Sequence, residues 1–391
     1  MRSFSPSAPI ATKALFAGRH EQMNDLITIA YQSGQHAVIY GERGVGKTSL
    51  SRVMKEVCET ANSWTSYYTC SSGDTFGSIW RGILSDFPMR ERRPRAGFTS
   101  DFDTKITTLA DLLDDSEPTP NQIRRVLEIV GEADGSAVIF IDEFDRPTDP
   151  VTRSKFADTI KILSDQVVPV TLVLVGVADD IDELIAEHSS IQRALVQIQM
   201  PRMTGVELLE IVRQGMRTAN LTFDEPFARR VVRISQGLPH YTHLIAQHAG
   251  VHAVGQGRDN VSESDFDAAV NSALNSVSQT VREKYHRATF SNRETLYREV
   301  LLACAMADKD DLGTFGAPDV RERLSDITGR RYETPAFANH LTDFSSVEGT
   351  RGGILAKRGT QRRFRYRFMD PLMPPFILMK GSADGLVSRI A

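Results

Sequence analysis

Residues 41–48 read Gly41-Glu42-Arg43-Gly44-Val45-Gly46-Lys47-Thr48, and this G-x-x-x-x-G-K-[ST] octet restricts the fold more than any other stretch. Ala37-Val38-Ile39-Tyr40 before it is apolar enough for a buried strand, and Thr48-Ser49-Leu50-Ser51-Arg52-Val53-Met54 after it has helical character. A strand, a glycine-rich turn and a helix in that order make a phosphate-binding loop. The glycines let successive backbone N–H groups converge with no Cβ in the way, the helix N-terminus adds partial positive charge, and Lys47 supplies a full one. The octet and Ser49 are therefore the candidate phosphate-binding residues, with Thr48 a candidate ligand of Mg²⁺.

A chain of 391 residues exceeds what one core usually fills, so two or three domains are expected. A net charge of −4 argues against an overall nucleic-acid coat and leaves room for a local basic patch. Cys58, Cys70 and Cys304 are few, unevenly spaced and odd in number, which suits buried thiols in a reducing compartment. The longest apolar stretch, 167–178, is interrupted by Pro169 and Thr171 and is far short of the roughly 20 residues a membrane span needs. Residues 1–13 hold Ser and Pro but no continuous apolar run, so they read as a flexible leader and the protein as cytoplasmic.

Along the chain, Met23, Leu26, Ile27 and Ala30 recur at helical spacing ahead of the first strand. Residues 64–70 suit a second strand and 75–86 a helix. Residues 88–120 look like an insertion holding a basic cluster (Arg90, Arg92, Arg93, Arg95), a Gly-Phe turn and an acidic helix with Asp111, Asp114 and Asp115. A helix over 123–133 precedes the apolar run Ala137-Val138-Ile139-Phe140-Ile141, a central parallel strand. A helix over 154–164, a strand over 170–177, a helix around 180–187 and a last strand over 194–200 complete a doubly wound parallel α/β sheet, which binds ligands at the carboxyl ends of its strands. Beyond Pro201 only helices are expected, at 204–219, 225–235, 239–254 and one from Ser262, with Asp265 as cap partner, to about 285. Residues 291–306, 318–328 and 335–344 give three more helices, followed by strands at 353–357 and 364–368. Three helices and then a hairpin is the winged-helix order. The expected domains are thus 14–201 (α/β), 202–285 (all-α lid) and 286–391 (winged helix).

The central strand ends in Asp142-Glu143. Opposite a phosphate loop, Asp142 would position Mg²⁺ and Glu143 would polarise an attacking water, since phosphoryl transfer asks for positioning, charge neutralisation and an oriented nucleophile. Together with Leu15-Phe16-Ala17-Gly18-Arg19-His20-Glu21, which is similar to an F-x-G-R segment that packs near adenine, these residues resemble the AAA+ ATPases of the branch holding replication initiators, transposition regulators and STAND signalling ATPases. The resemblance implies ATP and Mg²⁺ as cofactors, adenine-side roles for Gly18 and Arg19, and catalytic roles for Lys47, Asp142 and Glu143. It further implies a homo-oligomer in which Arg193 acts as an arginine finger towards the neighbouring subunit. Thr69 matches the place of a residue that holds the catalytic glutamate back. Asp179 stands where the family has a polar γ-phosphate sensor and departs from it. Gly237-Leu238-Pro239-His240 matches the Gly-x-Pro of STAND relatives, with His240 where initiator relatives sense nucleotide through arginine. His248 and His252 lie one helical turn apart, with no cysteine or acidic cluster to complete a zinc site.

Between residues 351 and 367 lie seven cations, Arg351, Lys357, Arg358, Arg362, Arg363, Arg365 and Arg367, and no acid. Such a field suits DNA-backbone contact, whereas the helix 335–344 offers only Asn339 and His340 for reading bases. The expected activity is an ATP-hydrolysing switch that engages DNA in an initiator-like, transposition-regulatory or phage-defence role. A STAND-like ATPase with a protein effector partner is the alternative. A guanine-specific N-K-x-D motif is absent from the sequence.

Overall fold

A computed structural model describes residues 3–6, 8–10, 16–94, 102–132, 136–178, 191, 193–291, 295–310, 313–359 and 363–386. The chain divides into two units, one of residues 8–201 and one combining 1–7 with 202–391.

The unit of residues 8–201 is built on β1 (His36–Gly41), β2 (Trp64–Thr69), β5 (Ala137–Asp142), β6 (Val170–Val177) and β7 (Leu195–Gln199). These strands are all parallel, in the order β2-β5-β6-β1-β7. Helix α1 (His20–Ala30) precedes β1, and α2 (Lys47–Thr60), α3 (Phe76–Ser85), α4 (Pro120–Glu132) and α5 (Pro150–Asp165) lie in the connections between strands. Period-two alternation sends Val38, Ile139, Ile141, Leu172 and Leu174 into one core with Trp80 of α3, Leu127 of α4 and Phe156 of α5. Phe140, between Ile139 and Ile141, faces the other way and stacks on Tyr67 with ring centroids 6.1 Å apart. The strand order reverses at β1, so the loop after β1 sits at the switch point where such sheets bind ligands.

His36 opens β1 and is wholly buried. Its Nδ1 accepts the Leu172 backbone N–H of β6 at 3.0 Å, and burial pushes the imidazole down to about 4. A neutral ring thus joins the central pair of strands, a role that its position before an apolar run does not reveal.

The expected insertion takes another form. Within it β3 (Pro88–Pro94) pairs antiparallel with β4 (Phe102–Thr108), and Leu109–Leu112 is one 3₁₀ turn instead of an acidic helix. Arg90, Arg92 and Arg93 lie on β3, and Arg95 falls outside the described residues, as does the helix expected at 180–187.

The second unit holds α6 (Gly205–Thr218), β8 (Thr222–Phe223), α7 (Glu225–Ser235), α8 (Pro239–Gly255), β9 (Asn260–Val261), α9 (Asp265–Ser276) and α10 (Gln279–Thr289). It continues with α11 (Tyr297–Met306), β10 (Phe315–Gly316), α12 (Ala317–Thr328), α13 (Ala338–Ser345), β11 (Leu355–Arg358), β12 (Arg365–Phe368) and α14 (Met373–Ala383). The single helix expected from Ser262 is two, because Val277 turns extended between α9 and α10. The cap partner is as read: the Asp265 carboxylate accepts from the Ser262 N–H at 2.8 Å and its hydroxyl at 3.0 Å. The hairpin β11–β12 gains a third strand, β10, in the order β10-β12-β11.

Helix α14, hidden in sequence by Pro374 and Pro375 at its start, is buried over most of its length and packs on α7, α9, α10 and α11. Proline is tolerated in a first turn, where the missing N–H has no partner to lose. Leu372, just before α14, accepts the Tyr241 hydroxyl of α8 at 2.7 Å, and residues 202–285 and 286–391 both lie in the second unit. The leader is also not free throughout. Phe4 is 3% exposed and packs its ring edge-on to His243 of α8, 6.0 Å between centroids. A Cβ on Gly215 of α6 would lie 2.0 Å from the Phe4 ring, so that glycine is the notch into which Phe4 fits. Burying such a ring is worth about 2 kcal/mol.

Among the described residues no helix is long and apolar enough to cross a membrane, and no group of His, Cys, Asp or Glu is placed to hold a metal by itself.

Candidate nucleotide site

The loop after β1 takes the backbone its glycines permit. Gly41, Gly44 and Gly46 have φ of 146°, 89° and 99°. A Cβ on Gly41 would lie 2.5 Å from the Met200 carbonyl oxygen, so any other residue would push the loop off β7. Gly46 then starts α2, whose first residues are Lys47, Thr48 and Ser49. The Lys47 Nζ donates to the Gly41 and Glu42 carbonyls, each at 2.8 Å, and is largely buried. Burial pushes this ammonium down to about 8, with Asp145, Asp142 and Glu42 opposing the shift and Arg43 adding to it.

Arg19 is placed beside the same loop, but as a clamp. It is 4% exposed, sits in the left-handed region at φ 60°, and its guanidinium donates to the Val45 carbonyl at 3.2 Å and to the Pro201 carbonyl. Gly18 precedes it, also left-handed at φ 71°. Arg19 thus ties the phosphate loop to the end of the sheet. Leu15 lies outside the described residues.

Asp142 ends β5 and is 3% exposed. One carboxylate oxygen accepts the Glu143 N–H at 2.9 Å and the other accepts the Tyr67 hydroxyl of β2 at 2.7 Å. Tyr67 in turn lies 2.9 Å from the Ser51 hydroxyl, one turn after Thr48 on α2. This network, unseen in the sequence, links Asp142 to Ser51 of α2, whose hydroxyl also reaches the backbone carbonyl of Thr48, the other expected Mg²⁺ ligand. Hydroxyl and carboxylate are hard oxygen donors, and a buried acid facing a phosphate loop is the donor set that Mg²⁺ bound to nucleotide takes, so the residues fit the ion.

Glu143 is held in the left-handed region at φ 53°, and its carboxylate pairs with Arg146 Nε at 3.0 Å, an exposed ion pair. The residue expected to hold the glutamate was Thr69. Thr69 ends β2 in register with Asp142, and the observed partner of Glu143 is Arg146, three residues on, where the turn brings it back. Asp145 is the other acid that sequence reasoning passed over. Its Oδ1 accepts the Val177 N–H at the end of β6 at 2.8 Å, so the β5 loop grips the neighbouring strand end. Asp179 lies outside the described residues, as do Ser189, Ser190 and Gln192, whereas Arg193 stands exposed in the turn before β7.

His240 belongs to the other unit. It follows Gly237, where φ is 80° and a Cβ would lie 2.6 Å from that of Arg202, so glycine is required on both counts. The His240 Nδ1 donates to the Pro6 carbonyl at 2.7 Å, and burial lowers the imidazole below its ordinary range. His248 and His252 are engaged separately, with Ser276 at 3.1 Å and Asp265 at 2.7 Å.

The cations of the C-terminal hairpin are not equivalent. Arg365 bonds Asp310 at 2.6 Å and Thr314 at 2.9 Å through both hydroxyl and carbonyl. Arg351 donates to the Ala288 and Phe290 carbonyls and lies 3.5 Å over the Tyr297 ring. Lys357 covers the Phe364 ring at 3.7 Å and remains exposed, as do Arg358 and Arg363. Arg367 is partly buried, and Arg362 lies outside the described residues. Of the cations expected to face DNA, Arg365 thus carries an ion pair with Asp310, 55 residues back in the chain.

A model of the family described as Novel STAND NTPase 1 matches residues 4–341. No curated protein matches the chain. Among solved structures, a Walker-type ATPase of Pyrococcus abyssi is similar with a TM-score of 0.55 at 15% identity, covering 95% of this chain and 99% of that one. The ORC2 protein of Aeropyrum pernix gives 0.49 at 14% identity, with 99% and 97% covered. Cdc6p of Pyrobaculum aerophilum gives 0.49 at 16% identity, with the same 99% and 97%. At 15% identity the likeness to the Pyrococcus abyssi structure is one of fold. The parallel sheet, the phosphate loop at its switch point and the acidic end of β5 make a nucleotide-binding P-loop NTPase with an AAA+ core, and since the family model spans most of the sequence, the chain belongs to the Novel STAND NTPase 1 family.

Proposed function

We propose that this chain is an ATP-hydrolysing, Mg²⁺-dependent switch. The observation that carries the reading is the buried Asp142 carboxylate, joined through Tyr67 and Ser51 to the helix that begins at the phosphate loop. Mg²⁺ held by Thr48 and Asp142 would neutralise charge on the phosphates. Lys47 adds a second positive charge, the loop N–H groups orient the phosphates, and Glu143 accepts the proton of the attacking water once it leaves Arg146. Arg193, exposed before β7, completes the site of a neighbouring copy in a nucleotide-dependent homo-oligomer. The test is ATP hydrolysis by mixed variants: Arg193→Ala and Glu143→Gln, each inactive alone, should regain activity when combined, and continued silence would remove the finger in trans.

For the output, DNA engagement is the first reading, through a winged-helix arrangement of α11–α13 with the β11–β12 hairpin, whose Lys357, Arg358 and Arg363 are exposed. A protein effector is the second reading, favoured by membership of a STAND family. Duplex binding by the intact protein, with and without ATP and across a salt series, separates them: a salt-dependent affinity supports DNA, and none at low salt supports the effector.

A further inference from the structure

Tyr67 is more than a packing residue. On β2, the edge strand of the parallel sheet, its ring stacks on Phe140 and lies 5.2 Å beneath the Arg52 guanidinium, contacts that phenylalanine would make equally well. What phenylalanine would lack is the hydroxyl, which lies 2.7 Å from Asp142 Oδ2 and 2.9 Å from Ser51 Oγ. Proton accounting gives the relay a direction. A carboxylate only accepts, so the one Tyr67 hydroxyl hydrogen goes to Asp142, and the single Ser51 hydroxyl hydrogen is shared between two acceptors, the tyrosine oxygen at 2.9 Å and the Thr48 carbonyl. Ser51 is fully buried on α2, three residues after Thr48, whose carbonyl lies 3.0 Å from the same serine oxygen. The other Asp142 oxygen is engaged by the Glu143 N–H, so two donors on different elements fix the carboxylate plane.

We infer that Tyr67 is a positioning residue for the Mg²⁺ site: through the Ser51–Tyr67–Asp142 relay it holds Asp142 in one orientation relative to Thr48 and sets how much Mg²⁺ the nucleotide complex needs. This rests on the ATPase reading given above. Partners one step removed from a metal ligand act by fixing its orientation, and their loss typically costs about 10–100-fold in metal affinity.

The experiment is a Mg²⁺ titration of thermal stability at a fixed concentration of a non-hydrolysable ATP analogue, on the full chain. Tyr67→Phe should raise the half-stabilising Mg²⁺ concentration about 10-fold, leave analogue binding in EDTA unchanged, and lower turnover in a way that excess Mg²⁺ restores. Ser51→Ala should shift the Mg²⁺ requirement in the same direction by less, and it decides the matter if Tyr67→Phe does not fold. A Mg²⁺ requirement equal to that of wild type, or a loss of analogue binding equal with and without Mg²⁺, overturns the inference and leaves the ATPase reading standing. Wild-type protein that shows no response to nucleotide overturns that reading and the inference with it.

Discussion

Lys47 in the phosphate loop and Arg365 in the C-terminal hairpin are both cations held by short hydrogen bonds, yet their partners differ in kind. Lys47 donates to the neutral carbonyls of Gly41 and Glu42, so its contacts orient the ammonium and leave its charge for an anion. Arg365 donates to the Asp310 carboxylate, so its charge is cancelled within the fold. The count of basic residues in a segment overstates what a ligand would meet, whereas a motif that fixes backbone shape places its cation where the charge remains useful. Two positive regions of one chain therefore call for different evidence.

The sharpest break in that comparison is kinetic. Glu143→Gln should lower ATP turnover by about 10²–10⁴-fold, as expected for loss of a general base, while retaining nucleotide binding; normal turnover would unseat Glu143. Lys47→Ala should weaken ATP binding on the order of 100-fold, measured by calorimetry, and unchanged affinity would put Lys47 in the same class as Arg365. Folding stability gives a third test. His36 and His243 are each held near 4 by burial, the latter with His240 adding to the effect, against an ordinary value of 6.5. Each contribution is present above pH 6.5 and is lost as the pH falls towards 4, because the unfolded chain takes up protons first. The loss is about 3 kcal/mol per histidine and is read as the unfolding free energy across that window.

On the hairpin side the effects are smaller. Joint replacement of Lys357, Arg358 and Arg363 by Ala should weaken duplex binding about 10-fold and reduce the salt slope by about 3. Arg365→Ala should leave that slope alone and lower stability by no more than about 1 kcal/mol, since its ion pair is half exposed. A slope that falls with Arg365→Ala would erase the contrast with Lys47. The smallest effect is expected from Arg146→Ala, which frees Glu143 from an exposed ion pair and should raise basal hydrolysis about 3-fold.

The parts of the molecule legible in the sequence were those with local causes. The octet at 41–48, the apolar β5 and the helices around it announce themselves by spacing and period, and the structure places them as read. Strands β3 and β4 were hidden because arginines and bounding prolines look like loop text, although a two-stranded hairpin leaves edges where proline fits. The engagement of Tyr67 with Asp142, and of Arg365 with Asp310, could not be read because the partners lie 75 and 55 residues apart. The sequence marks Arg19 as an adenine-side candidate, whereas its burial between the Val45 and Pro201 carbonyls is a tertiary fact.

The insertion of Phe4 beside Gly215 makes the second unit discontinuous in the gene. A fragment cut at Arg202 would keep every helix from α6 to α14 and lose the ring that fills the notch and the carbonyl that His240 donates to. Expression of residues 202–391 alone is thus expected to yield a less soluble product than the same fragment carrying residues 1–7 on a short linker, and modular reuse of this unit would need both pieces to travel together.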